Sequence, residues 1–319
     1  MRTRAARLAA HGEPLVIDEV ELPEPDKGQL VVEMAYAGVN PVDRYQVLGR
    51  VAADAALPRT VGSEGSGTVA SPSGGARRVF VNRDALVREG DGLWASHALV
   101  RADKLVDVPD GVGLEMAAAM GVAGVTAWRC VTELAKVTPS DRVLVLGASG
   151  GVGSIAVSIA HHLGAEVVAQ TGSARKADFV GGRGADRVVV AEANTLLDQL
   201  AGFVPTVVLD PLGDGYTGAA VEALAPRGRL VLFGTSADGS GTLPLQALYR
   251  KAVTILGYGG LIEPEERIRQ GVHDCLEALA AGRLEIVIDD VVALGAVNEA
   301  LERLATRGVE GKLVLDLHE

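Results

Sequence analysis

The chain has 319 residues, of which 48% are apolar and only 3% are aromatic. This length exceeds that of one typical core, so we expect two domains, or one domain inserted into another. The formal net charge of -11 at pH 7 argues against nucleic acid or an anionic membrane as the main partner, although a local basic pocket can still bind an anionic cofactor.

Signals for a compartment or for membrane insertion are weak. Cys130 and Cys275 are the two cysteines; they cannot form a disulfide framework and are expected as reduced thiols. Residues 1–10 contain arginine, but Glu13 and Pro14 follow soon after a short apolar stretch, which predicts a first strand rather than a targeting peptide. Because no run of about 18 apolar residues occurs, no membrane span is predicted. A cytoplasmic location is expected.

The first third of the chain is strand-like, with short β-branched runs separated by Gly, Pro and Asp; examples are 15–20, 29–37 and 67–70. Alanine-rich helical stretches follow around 116–120 and 127–134. From Asp141 onward the pattern becomes strand, glycine turn and helix, repeated. Strands are predicted at 142–146, 166–171, 187–190, 204–209, 229–233 and 253–256, and the first helix of this series at 152–163. Continuous apolar strands alternating with helices predict a doubly wound parallel sheet. Beyond it we expect helices at 265–281 and 297–306 and a last strand at 312–317.

A glycine turn follows the first strand of this series. Residues 147–153 read Gly-Ala-Ser-Gly-Gly-Val-Gly and lead into a helix. Free backbone N–H groups at a helix N-terminus bind a pyrophosphate, and glycines let the backbone approach it closely. We therefore predict a dinucleotide site at Ser149, Gly150, Gly151, Val152 and Gly153, with Ala148 replacing the first glycine of the usual template. The alternative is a glycine-rich loop without a ligand.

The end of the next strand indicates which dinucleotide is preferred. NAD sites usually carry an Asp or Glu about 20 residues beyond the glycine turn. This region instead reads Gly-Ser-Ala-Arg-Lys at 172–176. A hydroxyl at Ser173 with two cations, Arg175 and Lys176, suits the 2′-phosphate of NADPH. The alternative is a solvated helix start.

Five segments carry a resemblance that extends over nearly the whole chain: 37–45 (Ala-Gly-Val-Asn-Pro-Val-Asp-Arg-Tyr), 61–67 (Val-Gly-Ser-Glu-Gly-Ser-Gly), 124–128 (Gly-Val-Thr-Ala-Trp), the glycine turn, and 311–315 (Gly-Lys-Leu-Val-Leu). In these segments the chain resembles the medium-chain dehydrogenase/reductase superfamily, specifically its zinc-free, zeta-crystallin-like quinone oxidoreductase branch. The resemblance implies an α/β fold in which a Rossmann domain (121–255) is inserted into a partly β-barrel, GroES-like catalytic domain (1–120 and 256–319).

The resemblance also assigns site residues. It implies that NADPH contacts Thr126, Ser173, Lys176, Phe233, Gly234 and Lys312, and that Asn40 and Tyr45 face the substrate. Two alternatives stay open: Phe233 as a core residue, and Tyr45 as one wall of an amphipathic helix. A homodimer is expected, because residues 253–256 are apolar and lie near a sheet edge that pairs with its twin in the family. The loop 71–75 and the span after Asn82 look shorter than in the family.

A metal is not expected. Zinc-dependent relatives carry a cysteine where Asn40 stands and a histidine where Ser63 stands, and no third ligand is found near Val122 and Ala123. There is no four-cysteine lobe for a structural zinc, and the six histidines are scattered without ligand spacing.

Without zinc, a simple carbonyl lacks its Lewis acid, whereas hydride addition to a quinone or an α,β-unsaturated carbonyl forms an enolate oxyanion that hydrogen-bond donors stabilise. The candidate donors are Asn40, Tyr45, a backbone amide and the ribose hydroxyl of the cofactor. Either Tyr45 or solvent can supply the proton. The expected function is therefore NADPH-dependent reduction of a small conjugated carbonyl or quinone. An enoyl-thioester reductase, which a basic surface at Arg44, Arg50, Arg77 and Arg78 would favour, and a non-catalytic NADPH-binding scaffold stay open as alternatives.

Overall fold

The computed structural model describes residues 1–70, 74–82 and 91–318. The chain divides into two compact units. The first comprises Met1–Ala123, Leu261–Ala280 and the residues from Ile288 onward, and the second comprises Gly124–Gly260 and Ala281–Val287. In this division the segment 281–287 belongs to the second unit, whereas the predicted boundaries place it in the first.

The amino-terminal part of the first unit is mostly antiparallel sheet. Its elements are β1 (Arg2–Leu8), β2 (Val16–Glu21), β3 (Gln29–Val39), α1 (Pro41–Val47), β4 (Arg59–Thr60), β5 (Glu64–Ala70), β6 (Ala76–Asn82), β7 (His97–Arg101), a 3₁₀ turn (Ala102–Lys104), β8 (Leu105–Asp107) and α2 (Leu114–Ala118).

Helices alternate with strands through the second unit. Its elements are α3 (Ala123–Trp128), a π-helical turn (Arg129–Leu134), β9 (Arg142–Val145), α4 (Gly151–His162), β10 (Glu166–Thr171), a 3₁₀ turn (Ala174–Lys176), α5 (Ala177–Gly181), β11 (Arg187–Val190), α6 (Leu196–Leu200), β12 (Val207–Asp210), α7 (Asp214–Ala223), β13 (Arg229–Leu232), α8 (Leu245–Arg250) and β14 (Thr254–Gly257).

The remaining elements complete the first unit, after a 3₁₀ turn at Gly260–Ile262. They are α9 (Glu265–Ala280), β15 (Ile288–Ala293), a 3₁₀ turn (Leu294–Ala296), α10 (Val297–Ala305) and β16 (Lys312–Asp316). Strand β16 joins the amino-terminal part of the chain, because it pairs antiparallel with β3.

The described residues of the first unit form two sheets. One has the order β2-β1-β4, and the other has the order β15-β16-β3-β5-β6-β8 with β7 also paired to β3. One core of this unit includes Met34 of β3, Leu315 of β16, Leu301 of α10 and Trp94, which precedes β7. The fully buried Trp94 donates from Nε1 to the carbonyl of Gly38 at 3.2 Å, so its polar atom is satisfied inside this core.

The second unit is a doubly wound parallel sheet. Its strand order is β11-β10-β9-β12-β13-β14, and all neighbouring pairs are parallel. Strands are added to one side of β9 up to β11 and to its other side from β12 onward, so the strand order switches between β9 and β12. Such folds bind dinucleotides at this switch point, outside the carboxyl ends of the strands. The central strands are covered on both faces, since the adjacent residues Val143 and Leu144 of β9, and Val207 and Val208 of β12, point to opposite faces and are all fully buried.

The predicted elements match this architecture in kind and order. Strands β10 and β11 have the predicted bounds, and β9, β13, α9 and α10 each end one residue earlier than predicted. Strand β12 begins three residues later than predicted, at Val207. Strand β14 lies at the edge of the sheet and includes Thr254 through Gly257, but its pairing with a second copy stays a prediction.

Three further expectations concern loops, membranes and thiols. Residues 71–73 of the first loop and 83–90 of the span after Asn82 lie outside the described residues. In the described part of the chain, no helix is both long and apolar enough to cross a membrane. Cys130 and Cys275 are both buried free thiols, and burial raises the pKa of Cys130.

Candidate cofactor and substrate sites

The glycine turn connects β9 to α4 in the second unit. Gly147 has a φ of +58°, so the left-handed residue of the turn precedes Ala148, which explains why alanine is tolerated at the first position of the template. A Cβ added to Gly153 would lie 2.4 Å from the carbonyl oxygen of Gly147. Gly153 is therefore required for the close contact of helix and turn, whereas Gly150 leaves open space and meets only that same oxygen at 3.5 Å.

Helix α4 presents its amino end at this turn. Gly150 is the N-cap of a helix of 12 residues. The backbone N–H groups of Gly151, Val152 and Gly153 have no acceptor within the helix, as in the first turn of any α-helix. Ser149, Gly150, Gly151 and Val152 are half-buried, so the N–H groups of Gly151 and Val152 are accessible to a ligand, whereas Gly153 is buried. The arrangement fits the pyrophosphate of a dinucleotide.

Gln170 holds the turn in place. Its Oε1 accepts from the N–H of Gly147 at 2.9 Å, and its Nε2 donates to the carbonyl of Ala191 at 2.6 Å. Its backbone carbonyl accepts from the N–H of Ala148 at 2.9 Å. Gln170 is 1% exposed, so this one residue links three neighbouring strand ends. The sequence predictions missed it, because nothing local distinguishes it from another strand residue.

The carboxyl ends of the parallel strands bring most predicted cofactor contacts to one edge. The glycine turn follows β9, Ser173 follows β10, and Phe233 and Gly234 follow β13. Phe233 is half-buried and is not one of the fully buried apolar side chains. A Cβ on Gly234 would lie 2.8 Å from the carbonyl oxygen of Pro211, so this glycine allows the loops after β12 and β13 to approach each other.

The cationic residues lie at the same edge. Arg175 is exposed, and Ser173 and Lys176 are half-buried, at the 3₁₀ turn that follows β10. Their positions suit an anion outside the end of β10. Thr126 is half-buried within α3; its contact with a cofactor stays a prediction.

A buried polar cluster forms in the first unit around Asn40, Glu64 and Lys312. Asn40 is the N-cap of α1 and is 2% exposed, and Glu64, at the start of β5, is fully buried. The Nδ2 of Asn40 donates to Oε1 of Glu64 at 2.7 Å. The ammonium of Lys312 donates to Oδ1 of Asn40, to the carbonyl of Val39 at 3.2 Å and to Oε1 of Glu64 at 3.2 Å. The orientation of the Asn40 carboxamide is therefore determined at both ends.

The other carboxylate oxygen of Glu64 reaches the chain at Val122. The N–H of Val122 donates to Oε2 of Glu64 at 2.7 Å. Space for this carboxylate depends on Gly38, because a Cβ there would lie 2.2 Å from Oε1 of Glu64. Glu64 thus joins β3, β5 and the segment that follows α2. The sequence predictions did not select Glu64, although it stands inside the segment 61–67 that carries the resemblance.

Asp43 is a second buried carboxyl beside this cluster. Its Oδ2 accepts from the N–H of Asn40 at 2.9 Å, and its Oδ1 accepts from the Ser63 hydroxyl at 2.5 Å. Burial raises the pKa of Asp43 to about 7; the Ser63 hydrogen bond lowers it, and the charge of Glu64 raises it further. Asp43 was also not selected from the sequence, although it lies three residues beyond Asn40, at the position that completes a capping box at the start of α1.

Tyr45 lies on α1, and its side chain is half-buried. Within the described ranges no hydrogen bond of the Tyr45 hydroxyl is found, whereas its backbone carbonyl accepts from the N–H of Arg50 at 2.9 Å. A tyrosine hydroxyl is both a donor and an acceptor, so this group can serve a substrate oxygen.

Comparisons with known proteins agree with this geometry. The family described as "Alcohol dehydrogenase GroES-like domain" matches residues 26–110, and the family described as "Zinc-binding dehydrogenase" matches residues 151–278. The quinone oxidoreductase of Salmonella typhimurium is 28% identical to this chain over 317 residues. These residues are 96% of this chain and 97% of the relative. The chain belongs to the medium-chain dehydrogenase/reductase superfamily, in its quinone oxidoreductase branch.

Two further similarities are to a protein solved with NADPH and to a segment of a much longer polyketide synthase. The mycobacterial protein Rv1454c, solved in complex with NADPH, superposes with a TM-score of 0.83 at 26% identity and covers 98% of this chain and 99% of its own. A phenolphthiocerol/phthiocerol polyketide synthase of Mycobacterium tuberculosis is 31% identical over 314 residues, which are 95% of this chain. The chain spans only 14% of the length of that synthase polypeptide.

Zinc, which the name of one matching family implies, does not fit the residues of this chain. At the positions where zinc-dependent superfamily members carry ligands, Asn40 offers a carboxamide already bound to Glu64 and Lys312, and Ser63 offers a hydroxyl bound to Asp43. The ammonium of Lys312 adds a positive charge to the same cluster, which disfavours a dication. Among the residues with described positions, no group of three or more His, Cys, Asp or Glu side chains is placed to hold a metal ion.

The same cluster bears on the predicted role of Lys312. An ammonium has three N–H donors, and all three have protein acceptors in Val39, Asn40 and Glu64. In this arrangement no donor of Lys312 remains for a cofactor. Its contact with NADPH stays a prediction, and the contacts that the structure shows are those of a structural ion pair.

Proposed function

We propose that the protein is an NADPH-dependent, zinc-independent oxidoreductase that reduces a quinone or an α,β-unsaturated carbonyl. One observation carries the proposal: three features lie together where the strands of the second unit end. They are the close contact of Gly153 with Gly147, the amino end of α4, and the cations that follow β10. The similarity to a quinone oxidoreductase supports the substrate class, and the similarity to a protein solved with NADPH supports the cofactor.

When bound, the nicotinamide of NADPH supplies the hydride; the chain supplies binding and orientation. The N–H groups of Gly151, Val152 and Gly153 hold the pyrophosphate, and Arg175 and Lys176 attract the 2′-phosphate. On the substrate side, Asn40 has one Nδ2 hydrogen that Glu64 does not use, because an amide nitrogen carries two. That hydrogen and the Tyr45 hydroxyl are the donors that we assign to the developing oxyanion.

We expect Tyr45→Phe and Asn40→Ala each to slow turnover about tenfold to a thousandfold, since one lost oxyanion donor has an effect of that order. Residual activity should remain, because water can supply the proton. Steady-state oxidation of NADPH with a panel of quinones, enones and enoyl thioesters measures the effect. NADPH affinity and thermal unfolding are measured separately, because Asn40→Ala also removes contacts of Glu64 and Lys312.

The outcomes of this panel separate the candidate functions. Parent-like turnover in both variants would contradict the role of Asn40 and Tyr45. Binding of NADPH without turnover of any substrate in the parent would contradict reduction and favour the scaffold.

We expect the parent to prefer NADPH over NADH, and we expect Arg175→Ala and Lys176→Ala each to reduce that preference. A charged hydrogen bond to a phosphate contributes about 1.5–3 kcal/mol, which is roughly tenfold to a hundredfold in affinity. Fluorescence titration with both cofactors measures the ratio of dissociation constants. Arg142→Ala is the matched control, because Arg142 lies at the amino end of β9, the opposite edge of the sheet. An unchanged ratio in both test variants would show that these cations do not bind the 2′-phosphate.

Reduction of an enoyl thioester is a second candidate, which the similarity to a segment of a polyketide synthase favours. Of the four arginines that could hold a phosphorylated thioester carrier, two have protein partners. Arg77 pairs with Asp107, and Arg78 donates to the carbonyls of Pro109 and Val112. Arg44 is half-buried and Arg50 is exposed, so these two remain the candidate anchors.

A further inference from the structure

The Glu192 carboxylate lies beside the carboxyl end of β10, where the sequence pattern shows no acidic residue. Glu192 follows β11, and β11 pairs in parallel with β10 up to the pair Thr171 and Val190. The N–H of Ala191 donates to the carbonyl of Thr171 at 3.1 Å, which continues the pairing beyond that register. The next residues of the two segments, Gly172 with Ser173 and Ala191 with Glu192, therefore lie side by side.

The Glu192 carboxylate points toward Gly172. A Cβ added to Gly172 would lie 3.4 Å from Oε1 of Glu192, so the absent side chain leaves the carboxylate oxygen directly beside this backbone. Gly172 and Ser173 begin the segment that carries Arg175 and Lys176. In doubly wound folds, an acidic side chain at this end of the second strand hydrogen-bonds the ribose of the cofactor. Here an acidic group reaches that place from the third strand.

The carboxylate is also held in a defined position. The hydroxyl of Tyr216 donates to Oε2 of Glu192 at 2.8 Å, and the ring of Tyr216 is part of the core of the second unit. The backbone of Glu192 is closed in a turn with Thr195, whose Oγ1 accepts from the Glu192 N–H at 3.1 Å. Exposed glutamates usually sample many rotamers, so anchoring at both the backbone and the carboxylate indicates a positioned group.

We infer that Glu192, held by Tyr216, is a specificity-determining residue that opposes the preference for the 2′-phosphate and allows NADH to bind. The inference rests on the proposed binding of a nicotinamide dinucleotide at this edge. The carboxylate accepts a hydrogen bond from the adenosine ribose of NADH, and it repels the 2′-phosphate that Arg175 and Lys176 attract. The two opposing charges make the selectivity of this chain lower than its cations alone would produce.

The test compares Glu192→Gln with the parent in titrations of NADPH and NADH. We expect the preference for NADPH to rise about threefold to tenfold, since one repulsion is removed and a charged acceptor becomes neutral. The change in NADPH affinity should shrink at high ionic strength, where charge repulsion is screened. Tyr216→Phe keeps the ring and frees the carboxylate, so it should change the ratio in the same direction by less. A structural defect alone would weaken the binding of both cofactors to the same extent, and that loss would not depend on the salt concentration.

Glu166→Gln is the matched control, because Glu166 is an exposed glutamate at the opposite end of β10; its ratio should equal that of the parent. If both cofactors bind and Glu192→Gln leaves their ratio unchanged, the role of Glu192 is refuted while the proposed function stands. If neither cofactor binds the parent, the proposed function and this inference both fail.

Discussion

Lys312→Met is expected to lower the free energy of unfolding by about 3–5 kcal/mol, because it leaves the Glu64 carboxylate buried without its cation. Glu64 is fully buried and the Lys312 side chain is 4% exposed, so water cannot replace the lost partner. Methionine fills a similar volume, which limits the loss to charge and hydrogen bonds. Equilibrium unfolding in urea, followed by tryptophan fluorescence, measures the change.

Two further variants make this test specific to burial. Arg2→Met breaks the pair of Arg2 with Glu19, whose side chains are 78% and 65% exposed, and it should change stability by no more than about 1 kcal/mol. The double variant Glu64→Gln with Lys312→Met has no unpaired charge, so it should be more stable than Lys312→Met alone. A loss for Lys312→Met as small as that for Arg2→Met would contradict a charged, buried pair.

The parent protein should lose stability as the pH rises from about 4 to about 7, and Asp43→Asn should remove most of that slope. The pKa of Asp43 is raised from 3.8 to about 7 in the folded state, so the folded state retains a proton that the unfolded state releases over this interval. The stabilisation is fully present below pH 4 and is lost as the pH passes 7. A shift of this size corresponds to up to about 4 kcal/mol.

Asparagine is a suitable replacement because it resembles the neutral acid. Its amide oxygen can accept from the N–H of Asn40, and its NH₂ group can donate to the Ser63 hydroxyl, at the positions of the two Asp43 oxygens. Unfolding is measured in urea at several pH values between 4 and 8, and the readout is the difference between parent and variant. Asp210, whose pKa burial also raises, is present in both proteins and cancels. Equal slopes would show that Asp43 is ionised in the folded protein throughout.

The two buried carboxyl groups of this cluster, Glu64 and Asp43, differ in how well their surroundings stabilise a negative charge. Glu64 has the ammonium of Lys312 and the N–H of Val122 as partners, which together stabilise its charge. Asp43 accepts hydrogen bonds from one N–H and one hydroxyl. These bonds do not offset the cost of burying its charge, so its pKa is raised. We therefore expect Asn40, which contacts both carboxyls and Lys312, to retain its orientation over the pH range in which Asp43 titrates.

Local sequence patterns were sufficient to predict the alternation of strands and helices from 141 onward and the position of the glycine turn. The pattern of apolar residues indicates whether a strand is covered on both faces, and glycine is favoured where a turn needs a positive φ or where backbone segments approach closely. The doubly wound sheet followed from this alternation, and the family resemblance followed from the glycine turn together with the segments 37–45, 61–67, 124–128 and 311–315. The strand order confirms the sheet, and the family matches confirm the resemblance.

The partners of the polar residues became known only from the folded chain. Glu64 and Lys312 are 248 residues apart in the chain, and Glu192 reaches Gly172 from another strand. The sequence pattern for NAD sites looks for an acidic residue at a fixed distance beyond the glycine turn. It therefore could not predict an acidic residue that follows the neighbouring strand. Whether a carboxyl is charged, neutral or paired depends on burial and on long-range neighbours, and neither residue type nor periodicity encodes these.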